Sequence, residues 1–316
     1  MMKIYKTVDE NGFFREQTKL EKGCWINLIN PTVQEINTLC TAVGVREEFL
    51  RYPLDQEEIA RIDIEDDQKL ILIDLPTVEK KDDGQIEGFT TIPIGMIVVR
   101  DDYFITVCTS DTPIIKEFID CKVKGFFTFK KTRFILQILY KTAVYYLNYL
   151  KFINRETDKA EDRLQKSMRN KELIRLLELE KSLVYFTTSL KSNEIVMEKL
   201  MRAKFIKMYD EDEDILEDAI VENRQAIEMG TIYRDILSGT MDAYASVISN
   251  NLNIVMKFLA SVTIVLSIPT IVASLWGMNV AGLPFKDNPF GFLIVLAVAF
   301  LSSLVAWIWL KKKDMF

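Results

Sequence analysis

Residues 258–276 read FLASVTIVLSIPTIVASLW, and residues 290–310 read FGFLIVLAVAFLSSLVAWIWL. Neither stretch contains a charged side chain. At 1.5 Å per residue each is long enough to cross a hydrocarbon core of about 30 Å. The alternative, two buried helices of a soluble core, is poor because adjacent charge-free runs of this length are rare in soluble domains. The second run ends in Trp307 and Trp309, residues suited to a membrane interface, and then Lys311-Lys312-Lys313. Those lysines predict a cytoplasmic C-terminus, and two crossings return the preceding chain to the same side. Residues 280–289 then form a short outward-facing loop, between a first crossing at 258–279 and a second at 290–310, with a basic tail at 311–316.

The first crossing is not uniformly apolar. Thr263, Ser267, Thr270 and Ser274 recur at steps of four, three and four, which puts them on one face of a helix. Continued toward the cytosol, the same face takes in Leu259 or Ala260, Met256 and Asn253. Small hydroxyl residues occur where membrane helices approach closely. They also line narrow aqueous pathways, and spacing alone does not choose between the two. Pro269 removes one intrahelical donor and predicts a loosened or kinked turn. A single hairpin cannot enclose a pore, so a lining face would have to be completed by copies of the chain around an axis.

The remainder of the 316-residue chain is mixed and rich in Lys, Glu and Asp, with a formal net charge of -6. There is no histidine, which excludes His-based triads and HExxH zinc sites. Cys24, Cys40, Cys108 and Cys121 lack CxxC spacing and read as reduced thiols of a cytosolic domain. The first residues contain no apolar core of signal-peptide length, so the N-terminus is expected in the cytosol. Nothing in this pattern calls for a nucleic-acid partner.

Within residues 1–125 the runs CWINLI, KLILIDLPTV, IPIGMIVV and YFITVC are apolar, β-branched and of strand length. Arg100-Asp101-Asp102 is a plausible hairpin turn between the last two. PTVQEINTLC offers Thr32 as an N-cap with Glu35 three residues on, a capping-box pattern. This part is therefore predicted to be a cytosolic α/β domain. Residues 126–210 carry two helical stripes, Phe134, Ile138, Leu139, Ala143, Tyr146, Leu150 and Ile153, then Leu173, Leu176, Leu177, Leu183, Leu190, Met197 and Leu200. The polar break SMRNKE between them predicts an antiparallel helical hairpin. From residue 211 to 257 a stalk helix without proline flows into the first crossing; about 60 residues would reach roughly 90 Å. The acidic run at Asp210 to Asp214 reads as a solvated turn rather than a cation site. The fold class is thus an α+β membrane protein: an N-terminal α/β domain, a long helical hairpin, a stalk and two C-terminal transmembrane helices.

After Trp276 the first crossing closes on Gly277-Met278-Asn279. With the tripeptide in that place, NIVMKFL entering the membrane, the two-span hairpin, YRDILSGTMDAYASVISN and the terminal lysines, the chain resembles the CorA family of divalent cation transporters. The likeness is sharpest from Thr231 to Phe316. It implies a funnel-shaped homopentamer in the cell's inner or plasma membrane, driven by membrane potential. The selectivity filter would be Gly277, Met278 and Asn279, and the pore would be lined by Asn253, Met256, Leu259, Thr263, Ser267, Thr270 and Ser274. The resemblance also implies Mg²⁺ as cargo, with Co²⁺ and Ni²⁺ as further candidates, and as a regulatory ion between neighbouring copies, with Asp218 and Glu79 in the positions of its acidic partners. The chain departs from the family pattern in three places. Trp276 replaces a usual tyrosine, Ser267 replaces a bulky methionine, and the outer loop carries Lys286 and Asp287 in place of an acidic cluster. The second departure moves the expected gate to Met256 and Leu259. A Zn²⁺ transporter of the related ZntB type is the alternative within transport, with Met278 against it. A membrane-tethered, non-conducting scaffold is the alternative outside it. An enzyme is not expected.

Overall fold

The computed structural model describes residues 1–8, 13–80, 86–167, 170–203, 206, 208–278, 280, 283–285, 288–313 and 315. The chain divides into two units, Met1–Ser238 and Gly239–Phe316.

The first unit is built on a seven-stranded sheet: β1 (Met2–Thr7), β2 (Phe14–Gln17), β3 (Trp25–Ile29), β4 (Arg61–Glu65), β5 (Gln68–Lys80), β6 (Ile86–Val99) and β7 (Tyr103–Cys108). The spatial order is β2-β1-β3-β7-β6-β5-β4, antiparallel except for the β3–β7 pair. The four runs singled out by sequence are β3, β5, β6 and β7. The expected turn joins β6 to β7, with Arg100 at φ 52° and Asp101 at φ 50° and a bond from the Asp102 N–H to the Val99 carbonyl. Two successive left-handed residues give the turn a twist that matches paired strands.

Side chains alternate between two cores, as period-2 geometry requires. One face sets Ile26, Leu28, Ile105 and Val107 against Ile36 and Leu39 of α1 (Val33–Val43) and Phe49 of α2 (Glu47–Arg51). Thr32 and Glu35 form the full reciprocal capping box. Pro53, just after α2, packs so closely on Gly95 that a Cβ there would lie 2.2 Å from the proline ring, so only glycine fits. The other face sets Trp25, Phe104 and Met96 against Phe118 of α3 (Pro113–Ile119), Phe134 of α4 (Lys131–Ser167) and Met197 of α5 (Asn170–Ala203). Leu216, Ala219 and Ile220, from the start of α6 (Asp210–Trp276), join this core.

Helices α4 and α5 form the expected hairpin. All seven positions of the first stripe are fully buried; of the second, Leu177 is exposed and Leu179 takes the inward place. β5 and β6 run on together beyond the ends of β4 and β7, and α5 takes over the strand edge. Asn193 accepts from the Asp74 N–H at 2.9 Å and donates to the Asp74 carbonyl at 2.8 Å. Ser182 accepts from the Phe89 N–H, and Ser189 bonds Thr91. Pro76 and Pro93 sit in this extension, where their missing N–H groups break no ladder bond because the flanking strands have stopped.

The second unit holds the rest of α6 and α7 (Gly291–Lys312). Both are long and apolar enough to cross a membrane, and only 6% and 11% of their most apolar stretches are buried. A core helix of a soluble protein would be mostly covered. α6 continues through Pro269 without interruption, since the proline lacks only one donor. α7 extends through Lys311 and Lys312, so the basic tail begins inside the helix rather than after it.

Candidate functional site

The half-buried and buried positions of α6 in its apolar part are Ser261, Val262, Val265, Ile268, Pro269, Val272 and Trp276. At 3.6 residues per turn they fall on one side of the helix. On α7 the covered positions, Gly291, Ile294, Val295, Ala299, Ser302, Ser303, Ala306 and Leu310, also share a side. These faces shield one another. At one end the Ser261 hydroxyl, fully buried, donates to the Met315 carbonyl at 2.9 Å. At the other Trp276 stacks on Phe285 with ring centroids 6.4 Å apart.

Thr263, Ser267, Thr270 and Ser274 are exposed and lie on the opposite side of α6, turned away from α7. The hydroxyl stripe is therefore not the contact within this hairpin. Three of its members bond the helix's own backbone: Thr263 to Leu259 at 2.8 Å, Ser267 to Thr263 at 2.8 Å, and Thr270 to Leu266 at 3.3 Å. Such bonds to the carbonyl four residues back satisfy a hydroxyl without a neighbouring helix. Asn253, Met256 and Leu259 continue the outward side, the last two each 58% exposed.

The stripe leads to the end of α6. Gly277 closes the helix with a bond from its N–H to the Ala273 carbonyl at 2.9 Å, and Met278 is exposed beyond it. Asn279, the third residue of the tripeptide, lies outside the described residues, as do Lys286 and Asp287. Of the two regulatory candidates, Glu79 is exposed near the end of β5 and Asp218 is exposed on α6; neither makes an ion pair among the described residues. No group of three or more carboxylates or thiols among the described residues is gathered closely enough to hold a metal ion. Among the described residues of one chain, then, Glu79 and Asp218 do not belong to such a group.

The family model for the CorA-like Mg²⁺ transporter protein matches residues 21–312. The chain belongs to the CorA family. Membership makes it a membrane transporter and not an enzyme. A cobalt/magnesium transport protein CorA of Methanocaldococcus jannaschii is 28% identical over 283 residues, 87% of this chain and 85% of the relative. The corresponding Thermotoga maritima protein is 36% identical over a shorter stretch of 81 residues, 26% of this chain and 23% of its own. Among solved structures, the complete CorA magnesium transporter of M. jannaschii superposes with a TM-score of 0.79 at 24% identity, covering 99% of this chain and 96% of that one. The cytoplasmic domain of ZntB from Vibrio parahaemolyticus reaches 0.59 at 11% identity, over 79% of this chain and 96% of that one. At such identities the likeness is one of fold, so the CorA assignment rests on the family match over nearly the whole length.

Sequence reasoning did not find Ser261. A serine among apolar residues in a predicted crossing carries no signal of its role, and its acceptor is 54 residues away.

Proposed function

We propose that this chain is a membrane-potential-driven channel for divalent cations, with Mg²⁺ as cargo and Co²⁺ and Ni²⁺ as further candidates. The observation that carries the reading is the exposed polar face of α6, turned away from α7 and leading to Gly277-Met278-Asn279. One hairpin cannot close around an ion. Copies of the chain complete the wall, five by the family resemblance, in a funnel with both termini in the cytoplasm.

In this assembly Asn279 supplies a ring of neutral amide oxygens at the outer mouth. Mg²⁺ dehydrates reluctantly and prefers octahedral oxygen geometry. Amide oxygens accept hydrogen bonds from its water shell without binding the ion so strongly that it cannot leave. Thr263, Ser267, Thr270 and Ser274 line the path, and Asn253, Met256 and Leu259 narrow its inner end. Inward movement of a divalent ion gains about 4.6 kcal/mol per 100 mV of inside-negative potential, which serves as the driving force. Mg²⁺ bound between neighbouring copies at Asp218 and Glu79 holds the closed state.

The deciding experiment is ion uptake into proteoliposomes under an inside-negative potential, comparing the native chain with Asn279→Ala. Potential-driven Mg²⁺ uptake that is lost in the variant supports conduction and selection at the tripeptide. Uptake that survives the change keeps the channel and moves selection elsewhere. Zn²⁺ uptake without Mg²⁺ uptake would favour the ZntB-type reading. No uptake of any divalent ion at several internal Mg²⁺ levels would overturn transport in favour of a scaffold.

A further inference from the structure

We propose that the cytoplasmic end of the α6–α7 hairpin is a binding surface for anionic phospholipid headgroups. The proposal rests on the membrane reading above. Lys311, Lys312 and Lys313 close α7, all exposed, and none makes an ion pair among the described residues. Lys257, exposed on α6, is one helical turn before Ser261, and Ser261 holds the chain just after those lysines through its bond to the Met315 carbonyl. A second bond, from the Met315 N–H to the Leu310 carbonyl at 3.3 Å, ties Met315 to the last turn of α7. The Ser261 bond sets the α6 turn carrying Lys257 and the three lysines that end α7 at the same end of the hairpin. Even counting the neighbouring Asp314, lysines outnumber acids there.

The tryptophans set the depth. Lys311 Nζ lies 5.1 Å from the Trp307 ring centroid and Lys313 Nζ 5.4 Å from that of Trp309. Each indole, 40% and 58% exposed, packs against the lysine one turn on. Indole rings sit at the level of lipid headgroups, so the paired ammonium groups are held at the height of the phosphates rather than in bulk water. Headgroups of net negative charge complement this surface. A zwitterionic headgroup also carries a phosphate, but its own ammonium offsets the attraction. Each juxtamembrane lysine favours an anionic leaflet by about fivefold in binding.

The test uses contact quenching of tryptophan fluorescence by lipids brominated in the acyl chains. The full-length protein carries Trp276→Tyr, so that bilayer quenching reports Trp307 and Trp309; Trp25 is fully buried in the sheet of the first unit. Brominated phosphatidylglycerol is compared with brominated phosphatidylcholine at equal mole fraction. The expected result is a preference of at least about fivefold for the anionic lipid, falling toward unity as salt is raised to molar levels. Replacing all three tail lysines by glutamine should abolish most of the preference, and replacing them by arginine should retain it. Equal quenching by the two lipids in the chain with its lysines intact would overturn the proposal. A preference that survives the glutamine changes would overturn the residues assigned. Absence of quenching by either lipid would overturn the membrane reading together with the proposal, an outcome distinct from equal quenching.

Discussion

Asp74 stands on β5 just past the last pairing with β4, its backbone held by Asn193 and its carboxyl near Ser189. Burial raises its pKa above the ordinary 3.8, and the Ser189 hydroxyl, which favours the charged form, offsets only part of that. The raised value means that the unfolded chain gives up this proton more readily than the folded one. Well below pH 3.8 both states keep the proton and the site costs nothing; as pH rises from there toward the folded value the unfolded chain releases the proton while the native state still holds it, so stability falls across that window and then levels off. Asp74→Asn keeps the shape and removes the charge. We expect this variant to melt above the native protein at pH 7, with the difference shrinking as pH is lowered through 4. A difference that is constant with pH would show that the carboxyl does not titrate with folding. The Cys108 thiol, pushed up to about 11 by its burial, stays neutral and inert under the same conditions.

The start of α6 depends on a partner from α4. Asp212, in the first helical turn, is buried, and Arg133 donates to it at 3.2 Å and to Glu211 at 2.6 Å. Acids in this turn also suit the positive end of a helix. Among the described residues, Arg133→Ala would leave the Asp212 carboxylate with the Tyr209 backbone N–H at 3.3 Å as its remaining donor from another residue. We expect a loss of about 1–3 kcal/mol, measured by urea unfolding, with Arg133→Lys recovering part of it because an ammonium lacks the guanidinium fork. An unchanged midpoint in Arg133→Ala would mean that the pair is replaced by water. The acidic run that sequence reads as a solvated turn is thus in part a buried anchor. Local patterns carried the other elements well. Thr32 with Glu35 announces α1, and the apolar runs of β3 and β5 to β7 announce the centre of the sheet. MKIYKT, FREQ and RIDIE become β1, β2 and β4 at or near the sheet edges, where charge is tolerated and the apolar signal is weak. The parallel β3–β7 pairing, Asn193 on Asp74 and Arg133 on Asp212 join positions some 80 to 120 residues apart, and no local pattern encodes them. The stripe on α6 was legible because its spacing is helical, but which way it faces required the positions covered by α7.

For the assembled molecule the sharpest expectation concerns regulation. Asp218 is exposed and makes no ion pair among the described residues, as a carboxylate completed by a neighbouring copy would be. Asp218→Lys places a fixed ammonium where the regulatory ion is proposed to sit. Uptake in proteoliposomes should then lose at least half of its inhibition by internal Mg²⁺, while folding is unchanged; inhibition identical to the native protein would remove Asp218 from that role. A different consequence follows from the hydroxyls of α6. Thr263, Ser267 and Thr270 each direct their one proton back to a carbonyl of their own helix. What they present outward is lone pairs alone. Water bound to a cation turns its hydrogens outward and can be received at every such oxygen. A chloride or phosphate ion, which needs hydrogens from its surroundings, finds none at these three hydroxyls. On the proposed pathway the direction of three O–H bonds thus favours a cation over an anion, in a stretch of helix that carries no charge.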